Sequence, residues 1–241
     1  MLFRSAIMFS AAILTFSGSA FASEGKYGGH LIAAFSADPG GFDPAMGPSG
    51  MSHVVIEQVY GTLLNLDHDA VPYPGLAESW EQSEDGLKWT FKLRPDLKFH
   101  NGEALTAEDV VFTFNRIMPE DSGYAYRSQI ETIESVVAED DLTVVFNLKT
   151  VTGPFEIYMA FPGSSIVPKD LVESGHDLNA EPVGSGPFKF VSYTPRDSIK
   201  FVKNEAYYES GKPYFDEMTY RIVADPTALA NGMKSGEINF S

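Results

Sequence analysis

The chain has 241 residues, and its 17 basic and 33 acidic side chains give a formal net charge of −16 at pH 7. This acidic balance argues against a nucleic-acid partner and against anionic membrane surfaces. Hydrophobic residues make up 44% of the chain and there is no cysteine, so we expect a folded protein that relies on a sizeable core and contains no disulfide.

The first 22 residues have the pattern of a secretory signal peptide. Arg4 supplies a positive start, residues 6–16 are almost entirely apolar, and Ala20-Phe21-Ala22 forms an A-x-A cleavage site. The apolar run is shorter than the roughly 20 residues that a membrane-spanning helix needs. We therefore expect export and cleavage after Ala22. Without a cysteine to carry a lipid, the sequence predicts a free periplasmic protein.

The first third of the chain reads as a strand, a loop and a helix. Residues 30–35 form an apolar run typical of a strand. Residues 36–44 contain two X-Pro steps and two glycines, which favour a loop. Residues 52–64 have partial helical spacing of apolar side chains and predict a helix.

Two β-hairpins follow, with a helix between them. Residues 79–81 and 87–93 flank a turn at 83–86, and the second of these segments alternates apolar and polar side chains. Residues 135–138 and 142–148 flank an acidic turn. The helix between the hairpins begins at Thr106, a predicted N-cap with Asp109 three residues further on. Trp80, Trp89 and Phe91 are expected to lie in the core.

The last third of the chain also predicts a hairpin, a strand and a helix. Residues 188–193 and 198–202 predict a hairpin, residues 217–223 a strand and residues 226–234 a helix, with Gly236 just past its end. A further strand is predicted to begin at residues 237–240. Because the sequence stops inside that pattern, we expect an incomplete domain.

No catalytic or metal-binding motif stands out. The five histidines lack metal-ligand spacing, and the sequence has no phosphate-binding loop. Gly184-Ser185-Gly186 resembles part of a nucleophile elbow, but Pro187 follows it. The acidic hairpin turns read as solvated charge, because calcium-loop spacing is missing. An enzyme is therefore unsupported, although a triad could assemble from distant residues.

Several segments together resemble the family 5 extracellular solute-binding proteins, the dipeptide and oligopeptide binders of ABC importers. They occur in the family's order and cover nearly all of the chain after the signal peptide. The segments are LAESWE at 76–81, SEDGLKWTFKLR at 83–94, LKFHNG at 97–102, LTAEDVVF at 105–112, PVGSGPF at 182–188, NEAYY at 204–208, KPYFDE at 212–217, DPT at 225–227 and GEI at 236–238. Lys88 and the Pro95-Asp96 pair depart from the family pattern, on or beside a hairpin.

The resemblance implies an α/β fold of mixed α+β type, the periplasmic-binding-protein-like fold of two hinged lobes that close on a solute. This chain would supply mainly the first lobe over residues 23–241, with a smaller subdomain at roughly 55–180, and would end before the second lobe. The implied partners are a peptide or similar small solute and the membrane permease of an ABC transporter. The implied protein is a monomer without cofactor or catalysis.

Candidate solute contacts follow from loops at strand ends, where ligands of α/β sheets bind. Ser36, Ala37 and Asp38 come directly after the first strand. A second group is Gly184, Ser185 and Gly186, whose glycines allow close approach of the chain. Tyr124, together with Tyr126, could supply apolar contact and a hydroxyl group.

Two other functions remain open from the sequence. A nickel or metal-chelate binder of the same fold would need histidines that converge on the cleft. A secreted hydrolase would need scattered acidic residues such as Asp38 and Asp43 to form a catalytic site.

Overall fold

The computed structural model describes residues 27–46 and 49–241, and the predicted signal peptide lies outside them. These residues form ten strands, six α-helices and a 3₁₀ turn, Pro162–Ser164. The strands are β1 (His30–Phe35), β2 (Leu64–Leu66), β3 (Pro72–Pro74), β4 (Ala77–Gln82), β5 (Lys88–Leu93), β6 (Ile133–Asp140), β7 (Thr143–Leu148), β8 (Phe188–Thr194), β9 (Ser198–Lys203) and β10 (Glu217–Ile222). The helices are α1 (Gly50–Val59), α2 (Ala107–Ile117), α3 (Arg127–Ile130), α4 (Phe155–Met159), α5 (Lys169–Glu173) and α6 (Pro226–Ser235).

One sheet contains the first and the last strands of the described chain. Its order is β1-β10-β9-β8, with β1 parallel to β10 and the other pairs antiparallel. Helix α1 packs on this sheet through Val55, Ile56 and Val59, in one hydrophobic cluster with Phe201 and Tyr220. Since apolar side chains alternate along β9 and recur along α1, burial of one face of each is what fixes their contact.

A second sheet, antiparallel throughout, has the order β4-β5-β7-β6. Helix α2 covers it, and the ring of Phe114 meets that of Phe146 edge to face with centroids 4.8 Å apart. The strands β2 and β3 form a short separate ribbon. All members of this second hydrophobic cluster except Ala45 come from residues 63–166. The predicted subdomain boundaries, roughly 55 and 180, stay a prediction.

The strongest sequence-based element predictions are confirmed. The strand at residues 30–35, the three hairpins and the helix after Thr106 are all present. The carboxylate of Asp109 accepts a hydrogen bond from the backbone N–H of Thr106 at 2.8 Å, as a capping residue does. Gly236 ends α6 in the left-handed region with φ 79°. Trp89 and Phe91 are buried, whereas Trp80 is only partly buried against the same cluster.

Two element predictions are wrong in extent. The helix predicted at residues 52–64 is α1, which ends at Val59, because Tyr60 is extended with ψ 168° and Gly61 pairs with Ile166. Leu63 and Leu64, which follow the helix, are buried in the hydrophobic cluster of the second sheet. The strand predicted at 237–240 is reduced to a single bridge between Phe240 and Ala33.

Candidate functional site

The loop that follows β1 lies at the carboxyl end of that strand. Ser36 and Ala37 are exposed there, and Asp38 is half-buried. The carboxylate of Asp38 accepts hydrogen bonds from the hydroxyl of Tyr193 and from the backbone N–H of Arg196, each at 2.9 Å. Burial and this hydrogen bond raise the pKa of Tyr193 to about 12. Asp38 therefore ties the loop to the β8–β9 turn, and Ser36 and Ala37 remain accessible.

A buried ion pair fixes the next part of the loop to α2. The guanidinium of Arg116 donates to both carboxylate oxygens of Asp43, with Nη1 to Oδ1 at 2.9 Å. Only 6% of the Asp43 side chain is exposed. The hydrogen bonds that Arg116 donates to Asp43 raise the pKa of Arg116. The backbone N–H of Ala45 also donates to Asp43 at 2.9 Å. This network holds the loop against the helix of the second sheet.

Met46 and a tyrosine-rich segment meet at the far end of the loop. Met46 is 50% exposed and lies beside Gly123. The ring of Tyr126 packs against the rings of Phe161 and His53, with centroids 4.5 and 5.3 Å away. We call residues 36–46 together with Tyr124 and Tyr126 the loop face.

The two predicted tyrosines differ in exposure. Tyr124 is only 5% exposed, its burial raises its pKa to about 12, and its ring meets that of Tyr126 edge to face. Its hydroxyl lies against Gly163, where an added Cβ would approach it to 2.8 Å. Tyr124 therefore supports Tyr126, which is the more accessible of the two. The solute contact predicted for Tyr124 stays a prediction.

The predicted glycine segment lies against the end of α1, at a distance from open solvent. A Cβ added at Gly184 would stand 2.2 Å from the carbonyl oxygen of Val59, and one at Gly186 would stand 2.7 Å from that of Gln58. The backbone N–H of Gly186 donates to Val59 at 2.9 Å. Ser185 is 3% exposed. Close approach explains both glycines, and a solute contact from the segment stays a prediction.

His100, which lies between β5 and α2, connects this segment to the part of the chain that forms the second sheet. Its backbone N–H donates to the carbonyl of Gly184 at 2.8 Å, and its Nε2 lies 3.1 Å from the carbonyl of Gly186. Burial lowers the pKa of His100 to about 4, against an ordinary value of 6.5. The imidazole is therefore neutral in the folded protein, with Nε2 as the donor.

We expect the titration of His100 to make the fold sensitive to mild acid. Because its folded pKa lies below its unfolded pKa, its stabilisation is present above pH 6.5 and is lost as the pH falls towards 4. Relative to His100→Gln, the parent protein should lose about 2 kcal/mol of unfolding free energy between pH 7.5 and pH 5. Urea unfolding at both pH values measures this difference.

The control for that experiment is His68→Gln. The side chain of His68 is 88% exposed, so its removal should change the free energy of unfolding by less than about 0.5 kcal/mol. Equal pH slopes for the parent and His100→Gln would contradict the role given to His100.

Neither a metal cluster nor a spanning helix is found in the part of the chain that the structure describes. Over residues 27–46 and 49–241, no group of three or more His, Asp or Glu side chains is placed to hold a metal ion. In the same residues no helix has the length and apolar character to cross a membrane.

The architecture defines a class of protein. A mixed sheet with its loop at the carboxyl end of β1, joined to an antiparallel sheet and helix, is the first lobe of the periplasmic-binding-protein fold. The family model for bacterial extracellular solute-binding proteins, family 5 (middle), matches residues 71–241. The chain belongs to this family, as the sequence resemblance predicted.

Three known proteins illustrate the similarity. The glutathione-binding protein GsiB of Pectobacterium atrosepticum is 33% identical over 200 residues, which cover 83% of this chain and 39% of that protein. DppA from Helicobacter pylori in complex with peptide STSA has a TM-score of 0.83 at 32% identity, over 88% of this chain and 46% of that one. NikZ from Campylobacter jejuni in complex with Ni(L-His) has a TM-score of 0.79 at 26% identity, over 87% and 42%. The chain spans less than half the length of each.

Some residues of the site were not found from the sequence. Met46 and His53 carried no motif, and the pairing of Asp43 with Arg116 joins residues 73 positions apart. Arg116 lies in the last turn of α2, where a positive charge interacts favourably with the helix dipole. Its position therefore gave no reason to expect an ion pair with a distant loop. The two X-Pro steps and two glycines of residues 36–44 predicted the loop but not its ion pair with α2.

Proposed function

We propose that this protein is the extracellular solute-binding component of an ABC importer, with peptides or similar small molecules as its solutes. The observation that carries this proposal is the loop face, an accessible surface anchored at the carboxyl end of β1 in a chain of this family. The likeness to DppA, whose structure holds a peptide, supports peptides as the solute class. Binding is without catalysis, and the solute is delivered to the membrane permease.

The chemistry of the loop face suits a peptide. Exposed backbone groups at Ser36 and Ala37 can bond to main-chain amides, which tolerate varied side chains. Tyr126 and Met46 offer an apolar surface for those side chains. A second lobe would close over this face, and the periplasm is the proposed location.

Calorimetry on the full-length gene product with libraries of peptides tests the proposal. We expect binding heat with at least one peptide class, and an absence of heat with every peptide would rule that class out. Ser36→Trp should abolish the heat by filling the loop face. The matched control is Ser210→Trp, since Ser210 is also exposed but follows β9 near the opposite end of the sheet. Equal loss in both variants would contradict the placement of the site.

A nickel chelate is a second candidate solute. It is favoured by the likeness to NikZ in complex with Ni(L-His) and by the position of His53 beside Tyr126 and Phe161. Quenching of tryptophan fluorescence by nickel with free histidine, abolished by His53→Ala, would support it. Quenching that survives this change would count against it.

A further inference from the structure

A cavity of about 380 Å3 lies beside α1 and extends to the segment that follows β9, at the end of the mixed sheet away from Ser36 and Ala37. Its position follows from the strand register. His30, the first residue of β1, neighbours Glu217, which pairs with Val202 near the end of β9. Tyr207 and Tyr208, which follow β9 and line the cavity, therefore lie at the amino end of β1.

The wall of the cavity is rich in aromatic rings. Five of the described residues that line it are aromatic, namely Tyr60, Tyr73, Phe161, Tyr207 and Tyr208. They come from both hydrophobic clusters and from the segments between them. A volume of this size matches pockets that bury small organic ligands. The faces of such rings carry negative potential and attract cations.

One of these rings already binds a cation. The guanidinium of Arg94 lies 5.0 Å from the centroid of Tyr208. The hydroxyl of the same tyrosine accepts a hydrogen bond from the side-chain amide of Asn65 at 3.2 Å. These two contacts hold the ring of Tyr208 in place. The negative potential of its face attracts a positively charged group.

Glu57 is the only charged side chain among the described residues that line the cavity. It projects from α1 and is exposed to solvent. Desolvation by the surrounding protein atoms raises the pKa of Glu57. A concave site whose described lining residues include one carboxylate and no cationic side chain favours a cationic ligand. The net charge of −16 adds a long-range attraction of the same sign.

We propose that this cavity binds a small organic cation, an amine attached to an apolar or aromatic group. The ammonium group bonds to the carboxylate of Glu57, and the apolar part lies among the rings of Tyr73, Phe161 and Tyr208. Phe161 forms the boundary between this site and the loop face: its ring lines the cavity and also contacts the ring of Tyr126. The site does not depend on which solute the loop face binds.

Calorimetry with 2-phenylethylammonium and its neutral analogue 2-phenylethanol tests the proposal on the purified protein. At mildly alkaline pH, which keeps Glu57 ionised, we expect the cation to bind at least about ten-fold more tightly than the alcohol. Glu57→Gln should remove this preference. Ile157→Trp should weaken both ligands, because Ile157 lines the cavity, is 42% exposed and would put a larger side chain into the space that the ligand needs.

Two controls separate this site from others. Glu103→Gln removes an exposed carboxylate elsewhere and should leave binding unchanged. Ser36→Trp alters the loop face and should also leave it unchanged, so a failure here is distinguishable from a failure of the proposed solute-binding function. Equal affinity for the cation and the alcohol, full binding by Glu57→Gln, or no binding of the cation at millimolar concentration would each overturn the proposal.

Discussion

Replacing Arg116 with methionine is expected to lower the free energy of unfolding by about 3–5 kcal/mol. The change leaves the carboxylate of Asp43, whose side chain is 6% exposed, without its cationic partner. Removing one member of a buried ion pair is costly because the other charge stays desolvated. Urea unfolding followed by tryptophan fluorescence measures the effect.

The matched control is Lys88→Met. Lys88 and Glu139 lie 3.5 Å apart with about half of each side chain exposed, so the loss should be below about 1 kcal/mol. Combining Asp43→Asn with Arg116→Met should recover part of the stability, because the stranded charge is then removed. A loss at Arg116 no larger than that at Lys88 would contradict the importance given to the pair.

The double variant Asp43→Asn with Arg116→Met should also weaken solute binding, because it changes what holds the loop in position. Asp43 lies in residues 36–46, and Arg116 lies on α2, so the pair is what holds the loop face to the second sheet's helix. A stable double variant with weakened peptide binding would indicate that the pair positions the loop. Unchanged binding would limit its role to stability.

Gly184→Ala is expected to cost about 3 kcal/mol or more, or to prevent folding. The added methyl group would stand 2.2 Å from the carbonyl oxygen of Val59 and 2.8 Å from Cα of Tyr60. Both are backbone atoms at the end of α1, so neither can rotate away. Relief requires the segment to separate from the helix, with loss of the hydrogen bonds that His100 makes there.

Gly153→Ala is the control for this prediction. Neither glycine has a positive φ, and an added Cβ at Gly153 meets nothing within 4 Å. The substitutions therefore have the same effect on backbone freedom and differ in steric contact. Urea unfolding should show little change at Gly153, within about 1 kcal/mol. A similar small change at Gly184 would mean that the close approach is not rigid.

Local signals accounted for most of the elements. Alternation at residues 87–93 and the capping residues Thr106 and Asp109 involve neighbours a few positions apart, and they predicted β5 and α2 correctly. The end of α1 was predicted wrongly because apolar side chains continue through Leu63 and Leu64. Those two residues are buried in the second cluster, and periodicity alone does not say which cluster a side chain joins.

The candidate site was only partly visible from the sequence. Ser36 and Ala37 are exposed at the end of β1, as loop position predicted. The burial of Tyr124 and of Ser185 was not foreseen, because a tyrosine in a loop and a serine between glycines read equally well as surface residues.

The sequence by itself determined the family, the positions of most strands and helices along the chain and the acidic character of the surface, because these depend on composition and short-range pattern. Only the tertiary structure decided that β1 lies beside β10, that Asp43 meets Arg116 and that Glu57 lines a cavity with tyrosines more than a hundred residues away. Such contacts depend on how two sheets and their helices bury apolar area together, and that balance is set by the whole chain at once.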